Sequence, residues 1–552
     1  MIKIVRKVSV LCAVVFFTST HLHALKQPTM QTLAPKDYIF IENNVDKEYF
    51  IAPDALDPRF TGSNVWNKHK SNQTSIGYMG TNHALAVNGY VDYWTEGTSI
   101  NQPYVGSRCL MLAGTTRCPA SGYLPAAKID NRGAYKIAVS AGEDGGSYAR
   151  AAFGPNAYEH FRKMPIGSQE HIVLNACGTR EEYSPANGTY CKDAKVGNWY
   201  SYLFTLNKYA HIKLLDTKAF QEVWYGTDGT PYLTPNSTYC QYGSVPTGGT
   251  ADQKTGIMCK MLKYNIEGSP TTFSLYYYLY MVTDNASFGF TPNTYDLRIH
   301  GGTGDWKRYD QANALNRMKD MMTSGDNYIS VFFSNSFFQK LAKAKVNIRN
   351  IDNLFTFAVD NSVAPQSGFY QFSVSTKVEL IPREYSVSIQ PKGLPEGSTP
   401  VKTGKIGDPN PITFEYMVKQ SAPRQADTIE AYVSAPSVRK ENESYCLFTS
   451  DDNKTKVPIP AWLSMQNIAN QEVKTYSGCD ITKKLNMKNA MWQAEPWDSF
   501  GSGYFYTTDL KLIFPMSDPV SGVSMEGLDW MGKVRAEGEI KVVAKWIGVN
   551  FP

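Results

Sequence analysis

The sequence predicts a mainly β chain built from more than one domain. Its 42 Gly and 30 Pro mark a turn-rich chain, and 35 Tyr, 26 Phe and 10 Trp supply side chains that favour a pleated, half-buried surface. Hydrophobic residues make up 42% of the 552 and charged residues 19%, so the chain can bury more than one core. General disorder and a helical bundle are both excluded. At roughly 100 to 200 residues per domain, this length holds about three or four domains or two long sandwiches.

The first residues read differently from the rest. Lys3, Arg6 and Lys7 precede an apolar run from Val8 to Phe17, and Leu22-His23-Ala24 follows, so residues 1–24 read as a secretory signal cleaved after Ala24. Cys12 follows Leu11 and lacks the small residue expected before a lipid-modified cysteine, so it is expected to leave with the signal. No later stretch offers the about 18 uninterrupted apolar residues of a spanning helix, and a soluble mature protein is expected. Without the three basic signal residues, 52 basic side chains face 50 acidic ones, which makes no electrostatic case for nucleic acid.

Alternation organises the mature chain. Tyr38-Ile39-Phe40-Ile41 and Tyr49-Phe50-Ile51 flank a polar turn and read as a hairpin. Strands are expected at 200–206, 211–215 and 222–225, and Thr227-Asp228-Gly229-Thr230 supplies a turn before Tyr232. Residues 276–282 are apolar enough for a central strand. Helical spacing replaces alternation at 310–322, through Ala314, Leu315, Met318, Met321 and Met322, and at 334–345, through Phe337, Phe338 and Leu341. The clearest boundary falls at Ile381-Pro382-Arg383, between strands expected at 376–380 and 385–389, because proline removes a ladder donor there. A weaker boundary lies near Asn207.

Eight cysteines follow the signal: Cys109, Cys118, Cys177, Cys191, Cys240, Cys259, Cys446 and Cys479. An even count in a secreted chain reads as disulfides, and successive gaps of 8, 13, 18 and 32 residues favour four sequential local bridges. No Cys-x-x-Cys occurs, which removes zinc and redox readings. Enzyme signatures are scarce as well. His-Glu-x-x-His and Gly-x-Ser-x-Gly are absent, and Gly301-Gly302-Thr303-Gly304 lacks a phosphate-loop lysine. No cofactor and no metal site is expected. Paired carboxylates for glycoside hydrolysis, such as Asp92 with Glu96 or Glu143 with Asp144, read as solvated loop acids. Sugar recognition has better material: Trp66, Tyr78, Tyr90, Tyr93, Trp94 and Tyr104 stand among Asn64, Asn67, Asn72, Asn82, Asn88 and Asn101. Trp66, Tyr93 and Trp94 are the receptor-contact candidates.

Four stretches then carry a resemblance: residues 39–66 (IFIENNVDKEYFIAPDALDPRFTGSNVW), 367–383 (SGFYQFSVSTKVELIPR), 444–465 (SYCLFTSDDNKTKVPIPAWLSM) and 536–546 (AEGEIKVVAKW). In order along the chain, they resemble the tip adhesins of the E. coli common pilus, the Ecp or Mat system, an alternate chaperone-usher fimbria. The resemblance implies a mainly β, multi-domain architecture of immunoglobulin-like sandwiches with a few short helices and local disulfides. Residues 25–382 would form an adhesive region, one domain or two split near 207, and residues 383–552 a pilin-like incomplete immunoglobulin-like domain. It implies secretion through the periplasm, a place on a fimbrium at the cell surface, attachment to a host-cell receptor or glycan, early biofilm formation, and no catalysis. A secreted carbohydrate-active enzyme or a free glycan-binding lectin is the alternative.

The last strand fits that picture. From Glu539 to Trp546, Ile540, Val542, Ala544 and Trp546 alternate on one face with Lys541, Val543 and Lys545 on the other. Six residues follow, too few for another strand beside it, so the sandwich is expected to end open. An open apolar edge needs a cover. In chaperone-usher fibres, which the resemblance implies, a periplasmic chaperone supplies that cover first. The N-terminal donor strand of the major pilin replaces it at the outer-membrane usher. Ile540, Val542, Ala544 and Trp546 are the residues expected to line that edge.

Overall fold

The computed structural model describes residues 24–53, 59–65, 76–81, 83, 85, 88–109, 118–140, 150–226, 228–233, 237–246, 253–268, 277–310, 316–344, 355–361, 369–392, 400–497 and 503–549. Residues 1–23 of the expected signal segment and Trp66 lie outside these residues. The chain divides into two units. One holds the chain to Lys36, Asp57–Met164 and Ser168–Asn207; the other holds Asp37–Leu56, Pro165–Gly167 and Lys208–Pro552.

The first unit is a two-sheet sandwich. One sheet runs Tyr123–Ile129, Gly133–Val139, Gly89–Glu96, Gln169–Thr179 and then the first part of Asn198–Leu215, every neighbour antiparallel. Gln31–Thr32 adds a short parallel strand, with Gln31 opposite Tyr202. The second sheet runs Phe60–Ser63, Tyr78–Gly80, Arg150–Phe153 and Tyr104–Arg108. Tyr123–Ile129 belongs to both, because its first residues pair with Gly106–Arg108 and its later ones with Ala134–Ile137. Helix Pro155–Lys163 follows the second sheet. Proline at its first turn lacks only an amide that would be orphaned anyway, and His160, Arg162 and Lys163 sit where the helix dipole favours cations. Its Phe161 meets Phe60 and Phe153 edge-on at ring distances of 5.5 Å. Alternation gave no hint of this helix, whose buried face is only Ala157, Tyr158 and Phe161.

The second unit has two separate cores. The first is built on a sheet in which Glu48–Pro53, Lys36–Asn43, the second part of Asn198–Leu215, Gln253–Gly268, Gly325–Ser334 and Leu297–His300 follow one another. The expected hairpin is present, with Phe40 opposite Ile51. The strands expected at 200–206 and 211–215 are one continuous strand, since Asn207 to Ala210 keep extended geometry. Two small sheets complete this core. Ala219–Tyr225 pairs with Pro231–Leu233 and, in parallel, with Thr376–Pro382. Tyr277–Thr283 pairs with Phe355–Asn361, which pairs with Tyr370–Phe372.

Two expectations change here. Tyr277–Thr283 ends its sheet instead of lying centrally, and its other edge is covered by irregular backbone, with Leu279 N donating to Asn316 O and Met281 N to Tyr309 O. The helix expected at 310–322 is the single turn Met318–Met321, because Arg317 is extended and bridges to Tyr278; residues 311–315 lie outside the described chain. Asn335–Ala344 is helical as expected, with Phe337, Phe338 and Leu341 buried.

The second core is a C-terminal immunoglobulin-like sandwich. One sheet runs Ser386–Pro391, Ile412–Ala422, Tyr504–Phe514, Trp462–Gln466 and Glu472–Tyr476. Opposing it are Leu485–Asn486, Thr428–Ser434 and Glu539–Lys545, and the ribbon Ser437–Lys440, Glu443–Thr449 and Lys456–Ile459. Val418, Ile429, Val457, Leu463 and Leu510 meet between them.

All four disulfides are sequential: Cys109–Cys118, Cys177–Cys191, Cys240–Cys259 and Cys446–Cys479. Cys240 and Cys259 face each other directly across an antiparallel pair. Cys479 is preceded by Gly478 at φ 51°, where a Cβ would lie 1.9 Å from Ser444 O, so glycine alone fits that approach.

Candidate functional site

Two regions stand out, one in each unit. In the C-terminal sandwich, Glu539–Lys545 pairs along one side with Thr428–Ser434, from Thr428 opposite Lys545 to Ser434 opposite Glu539. Among the described residues no strand pairs with its other side. Ser386–Pro391 likewise ends its sheet and, among the described residues, pairs with Ile412–Ala422 alone. The two end strands approach each other, and Tyr385 meets Trp546 edge-on at 5.8 Å. Strand alternation places Val542 and Trp546 in the core and Ile540 and Ala544 half-buried against it, while Val543 is 50% exposed. The four edge residues therefore share the inward face.

The chain beyond this strand is held in place. Trp546 Nε1 donates to Arg424 O at 3.0 Å, and Ile547 N donates to Asp427 Oδ2 at 2.6 Å. That amide, and then Arg424, hold the Asp427 carboxyl below its usual value.

In the first unit an aromatic cluster is assembled around the Cys177–Cys191 disulfide. Its anchor is a β-bulge: Gly89–Glu96 slips against Gly133–Val139 between Val91 and Tyr93, and Lys136 opposite takes φ 52°. The bulge turns Lys136 N toward Asp92, whose Oδ1 accepts from it at 2.7 Å and from Tyr183 OH at 2.6 Å; Oδ2 accepts from Cys191 N at 2.8 Å. Asp92 is fully buried, and burial raises its pKa against the pull of these donors. One carboxylate thus ties the bulge, the disulfide and the loop at 180–197 together.

Around this anchor lie half-buried rings. Tyr90 meets Tyr183 edge-on at 5.9 Å, with Lys136 Nζ 4.9 Å from the Tyr90 ring centre. Glu182 accepts from Tyr90 OH and from Lys136 Nζ, and the tyrosine bond and then the lysine lower its pKa. Tyr190 packs on Tyr135 at 4.9 Å, and its hydroxyl accepts from Lys128 Nζ at 2.9 Å. Trp94 and Trp199 meet at 5.4 Å.

Two of the receptor candidates are covered in the structure. Tyr93 is fully buried with its hydroxyl 3.2 Å from Ser107 Oγ, and Trp94 is 7% exposed. Strand alternation turns them to opposite faces, yet both faces are covered, so neither ring offers an open surface. Tyr183, Tyr190 and Trp199 were not singled out from the sequence. The signal for them was a disulfide-bracketed loop containing two tyrosines and followed by Trp199-Tyr200. Asp92 is a structural acceptor here, and among the described residues no group of three or more His, Cys, Asp or Glu could hold a metal ion.

Comparison with known proteins fits this architecture. Three family models match in succession: the E. coli common pilus adhesin EcpD N-terminal domain over residues 25–212, the EcpD middle domain over 216–377 and the EcpD C-terminal domain over 384–544. The fimbria adhesin EcpD of Escherichia coli O6:H1 is 31% identical over 99% of this chain and 100% of its own length. EcpD of E. coli K12 is 31% identical over 96% and 97%. Among solved structures, the CFA/I adhesin CfaE of enterotoxigenic E. coli aligns at 10% identity over 60% of this chain and 94% of that one, with a TM-score of 0.21. A disulfide-stapled, multi-domain β chain that matches the EcpD domain models and the curated EcpD sequences along its length is a fimbrial adhesin. The chain belongs to the EcpD family of E. coli common pilus adhesins.

Proposed function

We propose that this protein is the tip adhesin of a chaperone-usher pilus, attaching the bacterium to host cells and supporting early biofilm formation. Residues 25–382 carry adhesion, and residues 383–552 join the shaft by donor-strand complementation. The protein passes through the periplasm to a fimbrium at the cell surface. Its partners are a periplasmic chaperone, an outer-membrane usher, the N-terminal donor strand of the major pilin, and a receptor or glycan on the host. Binding without turnover is expected.

The observation that carries the reading is the end strand Glu539–Lys545, which among the described residues has no strand partner on one side, along the row Ile540, Val542, Ala544 and, just past its end, Trp546. A strand laid there would satisfy its free backbone groups and cover the half-buried side chains. Fusing the major pilin's N-terminal segment to the C-terminus of the full chain should raise the melting temperature of the C-terminal domain and suppress aggregation. An unfused chain that is monomeric, unfolds cooperatively and ignores added donor peptide would show the sandwich to be complete already.

The proposed receptor contact is the set of half-buried rings beside the Cys177–Cys191 loop. Tyr90→Ala and Tyr190→Ala should each weaken binding to host cells by about 2 kcal/mol, roughly thirtyfold, while leaving the fold intact. Unchanged binding by both folded variants would move the receptor face elsewhere in residues 25–382.

A further inference from the structure

The strand Ala219–Tyr225 serves two cores at once. Val223 and Tyr225 enter the first core of the second unit, and the period of two turns Glu222 and Trp224 to the opposite face. There they meet the C-terminal sandwich. Glu222, with no exposed surface, accepts from Trp224 Nε1 at 3.1 Å and pairs with Lys419 Nζ at 3.5 Å; its other oxygen has no hydrogen-bond partner among the described residues. Lys419, 9% exposed, lies 5.8 Å from the Trp224 ring centre and 5.9 Å from that of Phe505, and Trp224 meets Phe505 edge-on at 5.5 Å.

The chain that links the two cores runs through the same junction. Arg383 N donates to Tyr225 O at 2.7 Å. Its guanidinium lies between the rings of Tyr232, at 4.4 Å, and Trp497, at 4.5 Å, and Trp497 Nε1 is held by Ser421 Oγ at 3.0 Å. A linker between independently moving domains would be exposed and polar. This one is clamped on both sides.

A buried ion pair is a poor source of net stability, because both charges must leave water, but breaking it leaves one charge buried without compensation. Its best-attested use is to fix one arrangement over others. We propose that Glu222–Lys419 and the Arg383 clamp form a latch that holds the segments 216–377 and 384–544 as one rigid body. With the C-terminal sandwich anchored in a fibre, as proposed above, load would pass into the segment before it without bending at residue 383.

The test needs no fibre. Arg383–Glu384 is a tryptic site that the clamp covers, so limited trypsin digestion of the full chain reports latch opening. Glu222→Gln keeps the acceptor for Trp224 but strands the Lys419 charge; Lys419→Met keeps the stem packing and strands Glu222. Each should speed cleavage after Arg383 by about tenfold, with other sites unchanged. The double variant should cleave no faster than either single one, since both remove the same pair. Unchanged cleavage after Arg383, a multiplicative effect in the double variant, or equal acceleration at every tryptic site would each overturn the latch, the last by making the pair an ordinary core element.

Discussion

Trp546→Ala should lower the stability of the C-terminal sandwich by about 3–5 kcal/mol, the usual result of truncating a buried tryptophan. The ring is 5% exposed, packs edge-on against Tyr385 and donates to Arg424 O, so truncation removes apolar burial and leaves a carbonyl without its donor. Val543→Ala one strand face away, at 50% exposure, should fall within about 0.5 kcal/mol of the parent. Hydrogen exchange of the amides in 384–549, read by mass spectrometry as a function of denaturant, measures both. Equal protection in the two variants would mean that Trp546 does not hold the end strand to the core. On the donor-strand reading proposed above, the same variant also bears on assembly, because Trp546 closes the row of inward side chains that the donor strand is proposed to cover.

Asp92→Ala should be of similar size, roughly 3–6 kcal/mol in the first unit, because it strips the acceptor from three donors at once and unmet buried groups cost about 1–3 kcal/mol each. Lys136 N, Tyr183 OH and Cys191 N all lose their partner. The loop at 180–197 should then lose protection first, although its disulfide remains. Asp92→Asn gives a second, pH-dependent readout. The folded carboxyl has a raised pKa, with burial the main cause. Below about pH 4, near the value of an unfolded Asp, both states carry the proton and the ionisation penalty is absent. As pH rises through the raised folded value, the native state must hold a desolvated carboxylate, and the parent loses stability relative to Asp92→Asn. Melting curves of the two proteins between about pH 3.5 and 7 should therefore draw apart with the parent's falling. Parallel curves would show that the three donors fully compensate the buried charge.

Period-two alternation is a local property, so the sequence by itself determined that this protein is a β chain and where many strands lie: the 38–51 hairpin, the strand from Glu539, and the strands Thr376–Pro382 and Ser386–Pro391 are all legible from neighbours a few residues apart. Cysteine spacing determined the disulfides for a related reason, since short loops close at least entropic cost and leave little competition from distant partners. Helix Asn335–Ala344 was legible because three bulky residues recur at its period, while Pro155–Lys163, with a sparse apolar face, was not. Pairing at long range belonged to the tertiary structure. Nothing near Ala219 or Thr376 indicates that those strands lie parallel and side by side, because hydrogen-bonded backbone carries no address. The same limit governs the sites. Alternation marked Ile540, Val542, Ala544 and Trp546 as one face, but only the sheet order showed which of that strand's sides has no partner among the described residues. Aromatic density marked Tyr93 and Trp94, but whether a ring is covered depends on what the rest of the chain packs over it, and it was the bulge at Lys136 and the carboxylate of Asp92 that turned Tyr183 and Tyr190 into a shared cluster with Tyr90.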